Sequence, residues 1–170
     1  LVGAKVPPEF FDPANAGMTE LRRQIAMRAL DDVVKWLDEG GEVAIYDATN
    51  TTIERRNLVH SRLAVERGFE VIFIETICDY EETIEENIQR TKLAGPDYAG
   101  IDPEQAMADF RARIEAYKRG YVPVSETDRS YIKIINLGEK VVVNRIRGYL
   151  PSRIVYYLLN LHTSQREIFL

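Results

Sequence analysis

Residues 40–56 constrain this chain more than any other stretch: Gly40-Gly41-Glu42-Val43-Ala44-Ile45-Tyr46-Asp47-Ala48-Thr49-Asn50-Thr51-Thr52-Ile53-Glu54-Arg55-Arg56. A glycine pair opens the stretch, and a short apolar run, of the kind a strand buried on both faces requires, stops at Asp47. Ala48, too small to fill a crevice, is followed by hydroxyl and amide residues in which Thr51 and Glu54 have the spacing of a helix capping box. The order is therefore strand, carboxylate, short loop, helix. In an open parallel sheet, ligands bind at the carboxyl ends of the strands, and a helix starting there aims unpaired N–H groups at anions. Asp47 is expected where phosphate and magnesium chemistry is done, although an aspartate that merely turns the chain after a strand fits the spacing equally well.

Length and charge narrow the classes. At 170 residues the chain can bury the core of one domain. A net charge of −5 with no basic block argues against a nucleic-acid binder, because such a protein must neutralise many phosphates. One cysteine excludes an intrachain disulfide framework, and no apolar run approaches the length that crosses a bilayer, so a cytoplasmic protein is expected with no membrane partner. The chain starts on Leu1 without a Met and ends on a strand-like Glu167-Ile168-Phe169-Leu170, which is expected of a piece of something longer.

Along the chain, strands and helices alternate as in α/β folds. Residues 1–15 read as loop. Met18, Leu21, Ile25, Ala29, Val33 and Trp36 recur at helical spacing up to the Gly40-Gly41 stop. Arg22 and Arg23 near the start of this helix fit a solvated face. A helix from about Thr52 to Arg67 ends at Gly68, and Phe69 to Ile77 follows as a second buried strand running into Cys78-Asp79. A parallel sheet would put those two residues on the Asp47 edge, but a buried cysteine is more often inert filler. Residues 79–94 read as a helix, acidic first and basic last, a polarity that suits the helix dipole without any function.

Gly95-Pro96-Asp97-Tyr98 reads as a turn, and Asp102-Pro103 as the cap and first residue of a helix whose face is Ala106, Phe110, Ile114 and Tyr117. Arg113 and Tyr117 are one turn apart and can present a cation and a phenol to one point, or form a plain surface ladder. Residues 131–137 and 140–146 are strand candidates, and 153–159 is a buried helix or strand, taken here as helix.

Taken together, Asp47-Ala48-Thr49-Asn50, Glu54-Arg55-Arg56, Ile74-Glu75-Thr76-Ile77-Cys78-Asp79, Pro96-Asp97-Tyr98, Val143-Asn144-Arg145 and Ser152-Arg153-Ile154-Val155-Tyr156-Tyr157-Leu158 resemble the kinase half of 6-phosphofructo-2-kinase/fructose-2,6-bisphosphatase, over nearly the whole chain. The resemblance implies a P-loop-kinase-like three-layer α/β fold with a mainly parallel central sheet, and transfer of the γ-phosphoryl group of ATP to the 2-hydroxyl of fructose 6-phosphate with Mg²⁺. It implies Asp47 and Cys78 as active-site residues, with Lys92 beside the transferred group and Asp47 as the metal residue. It further implies Arg22, Thr49, Arg55, Lys92, Arg113 and Tyr117 as sugar-phosphate ligands, and Asn87, Arg90, Thr91 and Lys92 as ATP contacts. A homodimer is a further expectation.

No G-x-x-x-x-G-K-[ST] occurs in the 170 residues, so the phosphate loop is expected upstream, and 1–170 is expected to be one incomplete kinase domain ending where a phosphatase domain would begin. Two readings compete with a sugar kinase: another D-x-T-N kinase, and a non-catalytic regulatory module that retains the sugar-phosphate pocket.

Overall fold

The computed structural model describes Phe10, residues 14–92 and residues 100–163. Its elements are α1 (Ala16–Asp38), α2 (Ile53–His60), β1 (Ile72–Ile77), α3 (Glu81–Asn87), α4 (Pro103–Gly120), β2 (Ser130–Ile135), β3 (Lys140–Asn144) and α5 (Tyr149–Thr163). Wider helical turns, Ser61–Val65 and Ile88–Lys92, prolong α2 and α3. The Pro96-Asp97-Tyr98 turn lies outside the described residues.

The chain divides into two compact units, Leu1–Arg67 with Glu86–Pro123, and Gly68–Glu85 with Val124–Leu170. In the first, α1 starts at Asn15, whose side chain accepts from the Met18 N–H. Of the α1 apolar residues, Leu30 and Val34 are buried, while Leu21, Ile25 and Trp36 stay exposed. The buried face is therefore rotated from the expected Met18-to-Trp36 face: α1 carries apolar residues on more than one side, and periodicity alone does not choose between them. Val59, Leu63, Ile88 and Ala106 complete this unit's buried apolar set.

Thr52, not Thr51, caps α2, accepting from the Arg55 N–H at 3.2 Å. Asp102 caps α4 with Pro103 first in the helix, as the local chemistry dictates.

The expected strand before Asp47 forms no ladder. Residues 41–47 carry no regular structure, Ile45 is 88% exposed, and the run is held by two side chains of its own unit. Trp36 Nε1 donates to the Val43 carbonyl at 3.2 Å, and the Tyr46 hydroxyl donates to the Ala26 carbonyl at 3.0 Å. A buried strand needs neighbours to take its amides on both sides, and among the described residues Val43–Tyr46 has none.

The second unit holds the sheet, in order β1-β2-β3. β1 and β2 are parallel with Phe73 opposite Tyr131 and Glu75 opposite Lys133. β2 and β3 are antiparallel, because the Asn136–Gly138 turn between them is too short for a crossover. The described sheet is thus small and mixed, one parallel pair and one antiparallel pair. β1 alternates, burying Phe73 and Glu75 while Ile74 is 51% exposed, so only one of its faces is covered here. Tyr131, Ile132, Ile134 and Val124 complete that core.

Candidate functional site

The Asp47 loop leads from α1 to the N-terminus of α2. Asp47, Ala48 and Thr49 are exposed, and the Asp47 carboxylate makes no hydrogen bond or ion pair within the described residues. Asn50 then takes a left-handed conformation, φ 43°, unusual for a residue with a side chain. Thr51 follows, its carbonyl accepting from the Val122 N–H at 2.8 Å. Thr52 caps the helix, and Arg55 lies half-buried in its first turn with Arg56 beside it.

Arg56 is the residue that the spacing arguments passed over. It is 1% exposed. Its Nη1 donates to the carbonyls of Asn50 at 3.2 Å, Thr51 at 3.4 Å and Val122 at 2.9 Å, and its Nη2 to that of Pro123 at 3.5 Å. The available signal was its place on one helix face with the buried Val59 and Leu63, three and seven residues on.

Three other candidates come together in the same unit. Tyr117 is half-buried, and burial raises its phenol pKa, while the cations of Arg22 and then Arg113 pull it the other way. Arg22 from α1 and Arg113 from α4 therefore act on one phenol from two helices. Arg22 donates to the Phe10 carbonyl and, at 2.9 Å, to Thr19 Oγ1, and its guanidinium stands 5.8 Å from the Phe10 ring centroid. Arg113 Nη2 lies 2.8 Å from Asp109 Oδ2, both side chains mostly buried. Arg23 behaves as a solvated-face residue, paired with the exposed Glu20 at 2.7 Å.

Cys78 belongs to the second unit, half-buried at the end of β1, its thiol 3.9 Å from the Tyr80 carbonyl. The Asp79 N–H donates to Asn136 Oδ1 at 2.9 Å, which fastens the chain just past it. Asn87 ends α3, and Arg90 in the following turn is exposed. The side chains of Thr91 and Lys92 lie outside the described residues. Beside that turn, Gln89, Pro103, Glu104, Met107, Ala108 and Arg111 line an open, mainly apolar depression of about 400 Å³.

The family profile described as 6-phosphofructo-2-kinase matches residues 2–165. The chain belongs to this family. It is 49% identical over 166 residues to a 6-phosphofructo-2-kinase/fructose-2,6-bisphosphatase of Gallus gallus, an alignment covering 95% of this chain and 35% of that protein. It is 46% identical, with the same coverage, to proteins named 6-phosphofructo-2-kinase/fructose-2,6-bisphosphatase 1 of Rattus norvegicus and of Homo sapiens. The chain thus spans about a third of the length of these curated relatives.

Among the described residues no three His, Cys, Asp or Glu side chains gather at a metal-binding distance. That donor set does not fit a protein cage. It does fit the way Mg²⁺ is held at phosphates, by one carboxylate acting through retained water, and the unengaged Asp47 is free for that. No helix of the described residues is long and apolar enough to cross a membrane.

Proposed function

We propose that the full-length protein moves the γ-phosphoryl group of ATP to the 2-hydroxyl of fructose 6-phosphate, in the cytoplasm, and that this chain supplies the sugar-phosphate pocket and the Asp47 loop of a P-loop-type kinase. The observation that carries the reading is the match of the 6-phosphofructo-2-kinase family profile to residues 2–165, and the charges of Arg22 and Arg113 both acting on Tyr117 support it.

A sugar-phosphate dianion needs converging cations and guanidinium forks that match its oxygens. It also needs donors that carry no negative charge of their own. The Tyr117 phenol is protonated at neutral pH as any tyrosine is, and burial raises its pKa further, so it can donate to a phosphate or sugar oxygen without repelling it. Arg22 and Arg113 supply the charge, while Thr49 and Arg55 add a hydroxyl and a further cation from the Asp47 loop and the start of α2.

Magnesium-bound ATP supplies the phosphoryl group and the metal charge that phosphoryl transfer needs. Asp47 would hold the metal through water, and Asn87, Arg90, Thr91 and Lys92 would receive the nucleotide. Lys92, next to the transferred group, and Cys78 complete the assignment carried over from the family. Positioning and charge stabilisation do most of the work in such a reaction, which suits a loop whose backbone is fastened and whose carboxylate is not.

The test is ATP-dependent formation of fructose 2,6-bisphosphate by the full-length protein, with Asp47→Ala alongside. Turnover is expected to fall by about two orders of magnitude or more in the variant. If wild-type protein binds fructose 6-phosphate in an Arg113-dependent way yet transfers nothing, the kinase reading fails and a sugar-phosphate sensor replaces it.

A further inference from the structure

We propose that Arg56 is a positioning residue for the sugar phosphate, holding the turn at Asn50-Thr51 so that Thr49 and Arg55, on either side of it, face the ligand before it arrives. The role rests on the sugar-phosphate reading above and assigns to Arg56 no contact with the ligand.

A guanidinium buried to 1% exposure must have its donors satisfied, and here they fan over four carbonyls from two separate segments. Two of those carbonyls, of Asn50 and Thr51, belong to the loop. The other two, of Val122 and Pro123, belong to the stretch that follows α4, the helix bearing Arg113 and Tyr117.

The Val122 N–H adds a backbone bond to Thr51 between the same two segments. The loop therefore has its left-handed residue, Asn50 at φ 43°, locked between a fixed cation and the helix cap at Thr52. Asparagine enters the left-handed region more readily than most residues with a side chain, so what holds this turn is the set of carbonyl bonds from Arg56 and the Val122 N–H. The adjacent Arg55 then projects from the first turn of a helix whose start cannot slide.

The alternative is that Arg56 only stabilises the fold, and the two roles part in their kinetics. Loss of fold lowers the active fraction and so the apparent kcat, leaving both KM values alone. Displacement of Thr49 and Arg55 raises KM for fructose 6-phosphate and leaves KM for ATP alone.

Arg56→Lys retains the buried charge but is a point donor that cannot fan over four carbonyls. In the full-length protein it is expected to raise KM for fructose 6-phosphate roughly tenfold, the scale of one charged hydrogen bond lost, with KM for ATP unchanged. Unchanged KM values in folded Arg56→Lys protein would overturn the proposal.

Amide hydrogen exchange of the wild type decides without any variant. The Val122 amide is expected to be protected before fructose 6-phosphate is added. Protection that appears only with the sugar phosphate would mean that the ligand, not Arg56, orders the turn, and would end the idea. This arm also separates the two failures: a wild type that transfers nothing defeats the kinase reading, while Val122 exchange still decides whether Arg56 holds the turn.

Discussion

Arg56 in the first unit and Glu75 in the second are the two charged residues buried to less than a tenth of their surface among those described, and they solve the problem of a buried charge differently. Arg56 spreads one guanidinium over neutral carbonyls of two loop segments. Glu75 meets a full opposite charge, with Lys133 Nζ 3.0 Å from its Oε2 across the parallel pair, and takes the Val124 N–H on Oε1 at 2.9 Å. The carbonyls that Arg56 gathers belong to irregular backbone. The ion pair closes a regular sheet beside the irregular residue 124. Removing Arg56 takes a donor from four loop carbonyls, whereas removing Glu75 takes the ion-pair partner from Lys133, a side chain only 14% exposed. Stability should depend more on the second unit's charge, and ligand affinity more on the first's.

The largest effect expected from this contrast is on Glu75→Leu. Stranding Lys133 should cost about 3–5 kcal/mol, read as a drop in the urea midpoint. The double variant Glu75→Leu/Lys133→Leu should recover most of that loss but not all, because the Val124 N–H has no acceptor left. Should Arg56→Lys prove the more destabilising of the two, the contrast between the units breaks.

How far the sequence could be read follows the same division between local and tertiary causes. The start of α4 was legible to the residue, because an aspartate cap followed by proline needs only its own neighbours. The cap of α2 was misplaced by one, Thr52 for Thr51, since adjacent threonines offer the same chemistry and only the backbone chooses. Val43–Tyr46 has strand composition, yet a strand exists only with partners, which composition does not supply. Ile72–Ile77 has a similar composition and finds β2.

The site divides likewise. The one-turn spacing of Arg113 and Tyr117 left a shared point and a plain ladder of charge both open, and Arg113 does pair with Asp109 one turn back. That the charge of Arg22 on α1 acts on Tyr117 on α4 follows from tertiary structure, which no spacing encodes. Arg56 stayed hidden because arginines on a helix are usually solvated, and what marks this one is burial.

A smaller effect sharpens the picture of how the first unit holds its Asp47 loop. A Cβ on Gly41 would overlap the Trp36 indole at Nε1, far inside contact distance. The indole is 56% exposed and can swing away, at the cost of its bond to the Val43 carbonyl. Gly41→Ala should therefore cost about 1 kcal/mol and shift tryptophan emission to the red, a shift that a Trp36→Phe background abolishes. An unchanged emission would mean that the indole does not hold the approach to Asp47.

The smallest effect is expected where charge is exposed, and it bounds the comparison from below. Glu20 on α1 is hydrogen-bonded to Arg23, and secondarily to Gln24, which together lower its carboxyl pKa from 4.5 to about 2. Because the folded value is depressed, whatever the pair contributes is complete above the unfolded value. It is lost as pH falls from about 4.5 through about 2. At neutral pH the contribution is present but small, since solvent screens both side chains and ordering them costs entropy. Carboxyl NMR titration should put Glu20 in that low range and return it toward the ordinary glutamate value in Arg23→Ala. Glu20→Gln should leave the urea midpoint at pH 7 almost where it was. A loss comparable to that of Glu75→Leu would show that burial is not what separates the charges this chain depends on from those it merely displays.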